Sequence, residues 1–434
     1  MKRLLWALVL MVAGPVWAAG PLGFEKAEYA ARRQNLMNRI PDGIAIIRNS
    51  TGEKPNLDFL YLCGVKVPNA ILIIDGKKKE SHLLYTTTEN YLKGEGLSPE
   101  LATDPLESTG VEHWEKADRL GEVLKELVGP GVIIYTPFTA EEFNTDVSTR
   151  SEWDGRLNRE QQFAKILGDK FPGTEVKDCS RMIWELRMIK SPAEIEKMRS
   201  AGRIGAEAMN AVMKAARPGM YEYELAALFE YECKRQGCKE MAFDVIISSA
   251  ENHRYLHYAQ HNRLLTDGDF LVVDAGPTWE DYDTDITISF PVNGTFTQRQ
   301  KEIYEACKSV SLACLEFYKP GATGYEVGAK VRELLISKGY DVEKDVFKRL
   351  SFFKEGGITH SVGLAVHDCG GRDVPKDIPF KAGMVFACDV FAVFPDENLG
   401  VRVENTVLIT ETGCENLTSG IAREVGEIEE VIGD

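Results

Sequence analysis

The chain has 434 residues, 44% hydrophobic and 27% charged. That is enough for two domains with separate cores and excludes a disordered polymer. Its formal net charge of −16 excludes nucleic acid and anionic membrane as natural partners, because both repel an acidic surface.

Residues 1–19 differ from the rest. Lys2 and Arg3 precede an apolar run from Leu4 to Ala13, which Gly14 and Pro15 end before Val16, Trp17 and Ala18. This order predicts a secretory signal peptide, hence a periplasmic or secreted protein. The run is short for a membrane span, and no later run is long and apolar enough to span one, so no membrane contact is expected after cleavage. Loss of Lys2 and Arg3 takes the net charge from −16 to −18. The nine cysteines are scattered without a C-x-x-C pair. Most read as buried small hydrophobes, although Cys369 and Cys388 stand beside residues singled out below.

Residues 20–182 alternate strand and helix signals and predict a small α/β domain. "GIAIIRN", "AILIID" and "GVIIYTPF" read as strands, Asp75-Gly76 as a hairpin turn into "SHLLYTT", and Trp114 to Leu127 as a helix. No chemistry is evident there. A second domain, residues 183–434, opens with Ser191, Pro192 and Glu194, an N-cap, a first-turn proline and a capping box. Helices are expected to Lys214, over "YEYELAALFEYECKRQG", and within 297–321 and 325–339. Strands are expected at "AFDVIISS", "DFLVVDAG", "DITISFPV", "GMVFACDVFAVF" and "GVRVENTVLIT". Helices with a hairpin-linked sheet predict an α+β class.

The second domain holds the candidate chemistry. His253, His257 and His261 are spaced for one face of a helix, but flanking asparagines favour a loop. Asp274 closes an apolar strand and Asp285 opens an alternating one; a solvated hairpin tip is the plain alternative. Asp389 is the lone charge in its strand, and alternation puts Arg402, Glu404 and Thr406 on one face of theirs. A salt bridge accounts for Arg402 and Glu404 alone, but not for Asp389, Asp274 and Asp285 as well. With His360, the four carboxylates form an oxygen-rich set suited to Mn²⁺, Co²⁺, Fe²⁺ or Zn²⁺. Two ions balance four carboxylates better than one, and such a pair activates water and polarises a carbonyl.

Residues 186–420 resemble the catalytic domain of the pita-bread metallopeptidases, family M24, most closely the aminopeptidase P and prolidase branch. The residues that carry this are "LRMIKSPAEI", "YLHY", "DAG…DITISFPVNG", "THSVGLAVHD" and "VRVENTVLITETGCENLT"; "LDFLYLCGV…PNA" is similar to the family's creatinase/prolidase-type amino-terminal domain. The resemblance implies Asp274, Asp285, His360, Asp389 and Glu404 as ligands of two divalent ions, most often Mn²⁺, with Asp285 and Glu404 bridging. It implies Asp389 as the group that helps activate water, and His257 and His367 as contacts to substrate and intermediate. Arg402 would orient Glu404 or a substrate group. The implied partner is a peptide with proline second, cleaved as an aminopeptidase P or a prolidase would, and the family often forms homodimers. This sequence departs from the pattern at three positions: Asp389 stands in place of glutamate, Gly356 in place of a histidine and Ile288 in place of an arginine. Two alternatives therefore stand beside the peptidase: a metal-free hydrolase of another C–N bond, and a binding protein on a degenerate peptidase fold.

Overall fold

The structure is a computed structural model that describes residues 23–52, 54–139, 153, 157–369 and 376–433; the segment read as a signal peptide lies outside them. The chain divides into two compact units between Ile134 and Tyr135.

In the first unit, β1 (Gly43–Arg48), β2 (Ile71–Asp75) and β3 (Glu80–Leu84) form an antiparallel meander. Buried apolar side chains dominate β1 and β2. The Asp75-Gly76 hairpin forms as its turn residues dictate: Asp75 Oδ1 accepts from the Lys77 and Lys78 amides, and Lys79 takes a positive φ. β4 (His113–Glu115) adds in parallel to β3 at the end of the sheet. Trp114 does not begin a helix but faces Leu83 across this pair, and the helix starts later, at Leu120–Leu127. Pairing with an open sheet edge overrides local helical spacing. Helix α1 (Lys26–Arg39) buries Tyr29, Leu36 and Met37.

The second unit has a mixed helix-and-sheet architecture, the α+β class read from the sequence. Its main sheet contains β5 (Ile246–Ser249), β6 (Phe270–Ala275), β7 (Ile286–Pro291), β8 (Ile358–Ser361), β9 (Val385–Phe394) and β10 (Leu399–Ile409). The order is β8-β9-β10-β7-β6-β5, with β11 (Cys414–Asn416) against β10, and every adjacent pair is antiparallel. Helix α2 (Pro192–Ala215) begins at the expected capping box, where Ser191 N donates to Glu194 Oε2 at 2.9 Å and Glu194 N donates to Ser191 Oγ at 3.3 Å. Helix α3 (Glu222–Lys234) packs on α2, and helix α4 (Gln298–Leu315) packs on β9 and β10. Ile286, Ile288, Phe290, Val401 and Val403 enter the core beneath these helices. Among the described residues, no helix is long and apolar enough to cross a membrane, and no disulfide forms.

Candidate metal centre

The site is a single row across the sheet. Opposed residues of antiparallel strands share a face. Asp274 of β6 faces Thr287 of β7, Thr287 faces Glu404 of β10, and Glu404 faces Asp389 of β9. Asp285 precedes Thr287 by two residues and so joins the same face, as does Arg402 before Glu404. The hairpin between the first two aspartates turns at Glu280 and Asp281, both at positive φ, and its arms pair Thr278 with Asp283. Asp274 and Asp285 are therefore not a solvated tip; both are buried in the sheet.

Gly276 allows that return. A Cβ there would stand 1.8 Å from the Thr284 carbonyl oxygen, so only glycine lets the two backbones approach this closely. Thr406 then grips Asp285: its Oγ1 accepts from the Asp285 amide at 2.9 Å and donates to the Asp285 carbonyl at 2.8 Å. Thr287 Oγ1 donates to Glu404 Oε2 at 2.7 Å. The only mark of these two threonines in the sequence is their strand parity with the carboxylates.

His360 comes from β8, with Nε2 3.4 Å from Asp285 Oδ2. One ligand atom each from Asp285, His360 and Glu404 falls within 4.8 Å of the others. His367 returns to lie edge-on against His360, with ring centroids 4.2 Å apart. The loop between them closes because Ser361 Oγ donates to the Asp368 carbonyl at 2.6 Å and the Asp368 amide donates to the Ser361 carbonyl at 2.9 Å. Asp368 is buried with Arg187 and, at 3.4 Å, Lys190 Nζ. Burial raises its pKa, but these two cations hold it below the usual carboxylate value. Arg187 and Lys190 both lie in the "LRMIKS" stretch, whose two cations thus anchor the His360–His367 loop through Asp368. His257 lies on an exposed loop after a short turn at Ala250–Arg254, so the three spaced histidines do not share a helix.

Arg402 differs most from expectation. Its Nε and Nη2 donate to the two Asp389 oxygens, each at 2.9 Å, and Nη1 donates to Asp274 Oδ2. Glu404 Oε2 is farther, at 3.2 Å from Nη2. The guanidinium thus orders Asp389 and Asp274 before Glu404. Burial would lower its pKa, but the surrounding carboxylates raise it well above the ordinary value.

The donor set fits divalent cations. Asp274 Oδ1, Asp285 Oδ1 and Glu404 Oε1 are buried and have no hydrogen-bond partner among the described residues. Unsatisfied buried carboxylate oxygens are costly unless they ligate. Burial, with repulsion from the neighbouring carboxylates, pushes Asp274 and Glu404 well above their usual pKa values despite Arg402. Burial also raises Asp285, but the His360 hydrogen bond and nearby cations bring it below normal. Oxygen ligands plus one imidazole suit Mn²⁺, Co²⁺, Fe²⁺ or Zn²⁺.

Two departures acquire physical meaning. Ile288 faces Val273 on the opposite side of the sheet and packs in the core, away from the carboxylate row. Gly356 has φ +67°, and a Cβ there would lie 2.6 Å from the Gly324 carbonyl oxygen and 2.8 Å from Val327 Cβ. A histidine has no room at this backbone position. We expect Gly356→His to lower the melting temperature by several degrees and to bring no gain in turnover. Thermal unfolding and peptide turnover of that variant check both points; a stable variant with improved turnover would refute the steric argument.

The model of metallopeptidase family M24 matches residues 196–411, and that of the aminopeptidase P amino-terminal domain matches residues 29–135. The Xaa-Pro aminopeptidase of Escherichia coli K12 is 30% identical over 437 residues, covering 93% of this chain and 97% of that protein. Human Xaa-Pro aminopeptidase 3 is 27% identical, covering 94% and 86%. The structure of E. coli aminopeptidase P with the inhibitor Pro-Leu superposes with a TM-score of 0.77 at 28% identity, covering 94% of this chain and 98% of that one. With this fold and donor set, the chain belongs to metallopeptidase family M24, in its aminopeptidase P branch, and is a metallo-exopeptidase.

Proposed function

We propose that the chain is an exported aminopeptidase that uses two divalent ions to release the first residue from peptides with proline second. The observation that carries this reading is the row of buried carboxylates with three unpartnered oxygens, two of whose residues, Asp285 and Glu404, gather with His360. Four carboxylates against one guanidinium leave a surplus of negative charge that one divalent ion does not remove and two do. Asp274, Asp285, His360, Asp389 and Glu404 would hold the ions. When bound, Mn²⁺, or Co²⁺, Zn²⁺ or Fe²⁺ in its place, supplies an activated water and a polarised scissile carbonyl.

The chain's own groups do the rest. Asp389 takes the proton released during attack and passes it to the leaving amine. Arg402 holds both oxygens of Asp389 and so fixes where that proton is received. His367 and His257 contact the substrate, His367 from beside His360 and His257 from its loop. Pro-Leu, the inhibitor bound by the E. coli relative, is what remains when the first residue leaves Xaa-Pro-Leu. This favours longer peptides over dipeptides.

The test is to incubate the chain from about residue 20 with Mn²⁺ and a mixture of Xaa-Pro dipeptides and longer peptides. Release of the first residue, read by mass spectrometry and lost in a Glu404→Ala control, is expected. No turnover with any peptide or metal would sink the peptidase reading in favour of a binding protein. Asp389→Glu lengthens the shortened carboxylate by one methylene. We expect it to raise kcat about tenfold with KM little changed, since proton transfer depends on reach. A fall in kcat would show that the site is built around aspartate.

A further inference from the structure

The amino-terminal sheet carries a second group of ligand-type side chains that the peptidase reading leaves unused. Glu80 and His82 stand two residues apart on β3 and so project from one face. His113 of β4 is the direct partner of His82 across the parallel pair. Their rings stack with centroids 4.3 Å apart and 20° between planes. Glu80 Oε2 lies 3.3 Å from His113 Nε2, and one ligand atom from each of the three residues falls within 4.8 Å of the others.

His82 Nε2 points to a ligand. It is shielded from solvent yet has no hydrogen-bond partner among the described residues. A shielded ring nitrogen left unpaired is costly, and a metal ion would satisfy it. Burial first, and His113 second, push the His82 pKa down, which favours the neutral imidazole that binds metals. The Glu80 and His113 side chains are 40% and 45% exposed, so an ion has access from solvent.

We propose that Glu80, His82 and His113 form a peripheral site for one borderline transition-metal ion, Zn²⁺ or Cu²⁺. Two imidazoles and a carboxylate suit these ions. Rotation of the exposed Glu80 and His113 side chains brings the ligand atoms to the roughly 3.4 Å separations that bonds of about 2.1 Å require. The ion ties β4, a three-residue strand at the end of the sheet, to β3.

The test uses the full mature chain, loaded with Mn²⁺ at the catalytic centre and then titrated with Cu²⁺. Wild type is expected to take up one copper ion whose electron paramagnetic resonance spectrum shows nitrogen coupling from two imidazoles. His113→Asn, an exposed change outside the catalytic row, is expected to keep its peptidase activity and fold, lose that spectrum and bind this copper at least tenfold more weakly. Zn²⁺ should raise the melting temperature of wild type more than that of the variant. Equal copper stoichiometry, affinity and spectra in the two proteins would overturn the proposal, whatever the outcome of the peptide assay.

Discussion

Glu404→Ala is expected to lower kcat/KM by at least about 10³-fold and to remove at least one metal ion per chain relative to wild type. The magnitude follows from the several kcal/mol by which bound metal stabilises developing charge. Glu404 is fully buried at the middle of the row, with Oε2 held by Thr287 and near Arg402 and Oε1 free to ligate. Alanine removes both oxygens and leaves the buried Arg402 with Asp389 and Asp274, so the fold persists. Elemental analysis and peptide kinetics on the same preparation check the two effects together. Glu404→Gln keeps the shape but removes the charge, and it should lose metal as well. A glutamine variant with full metal and turnover would remove Glu404 from the ligand set.

Gly276→Ala also has a large effect, acting through the backbone. The added carbon would meet the Thr284 carbonyl oxygen at 1.8 Å and its carbon at 2.8 Å, and neither can rotate away. The hairpin must open, which separates Asp274 from Asp285. Overpacking of this kind costs about 3 kcal/mol, and a displacement near 1 Å among reacting groups costs about 10²-fold in rate. The melting temperature and kcat of this variant should therefore fall together. A variant with wild-type stability and turnover would show that the close approach is not needed.

Much of the catalytic unit was legible in the sequence because its signals are local. Ser191 and Glu194 announce the start of α2, and apolar alternation marks β7 and β10. The same alternation puts Arg402, Glu404 and Thr406 on one face, since side-chain direction in a strand has a period of two. The antiparallel return of Asp285 towards Asp274 needed only one turn between two strands. The misreading at Trp114 has the opposite cause. Helical spacing there is real, but Trp114 and Glu115 instead pair with Leu83 and Leu84, 31 residues earlier in the chain.

The sequence by itself thus determined the kinds of elements, the faces that carry carboxylate and the resemblance to a metallopeptidase. Tertiary structure alone decided which charges meet. Asp389, Asp274 and Arg402 come from three different strands, and their pairing follows from a sheet order in which β10 lies between β9 and β7. It also decided that Gly356 has no space for a side chain and that Asp368 is locked between Arg187 and Lys190. Local sequence dictates dihedral angles and side-chain direction; distances between charges far apart in the chain depend on strand order and packing, which no single segment encodes.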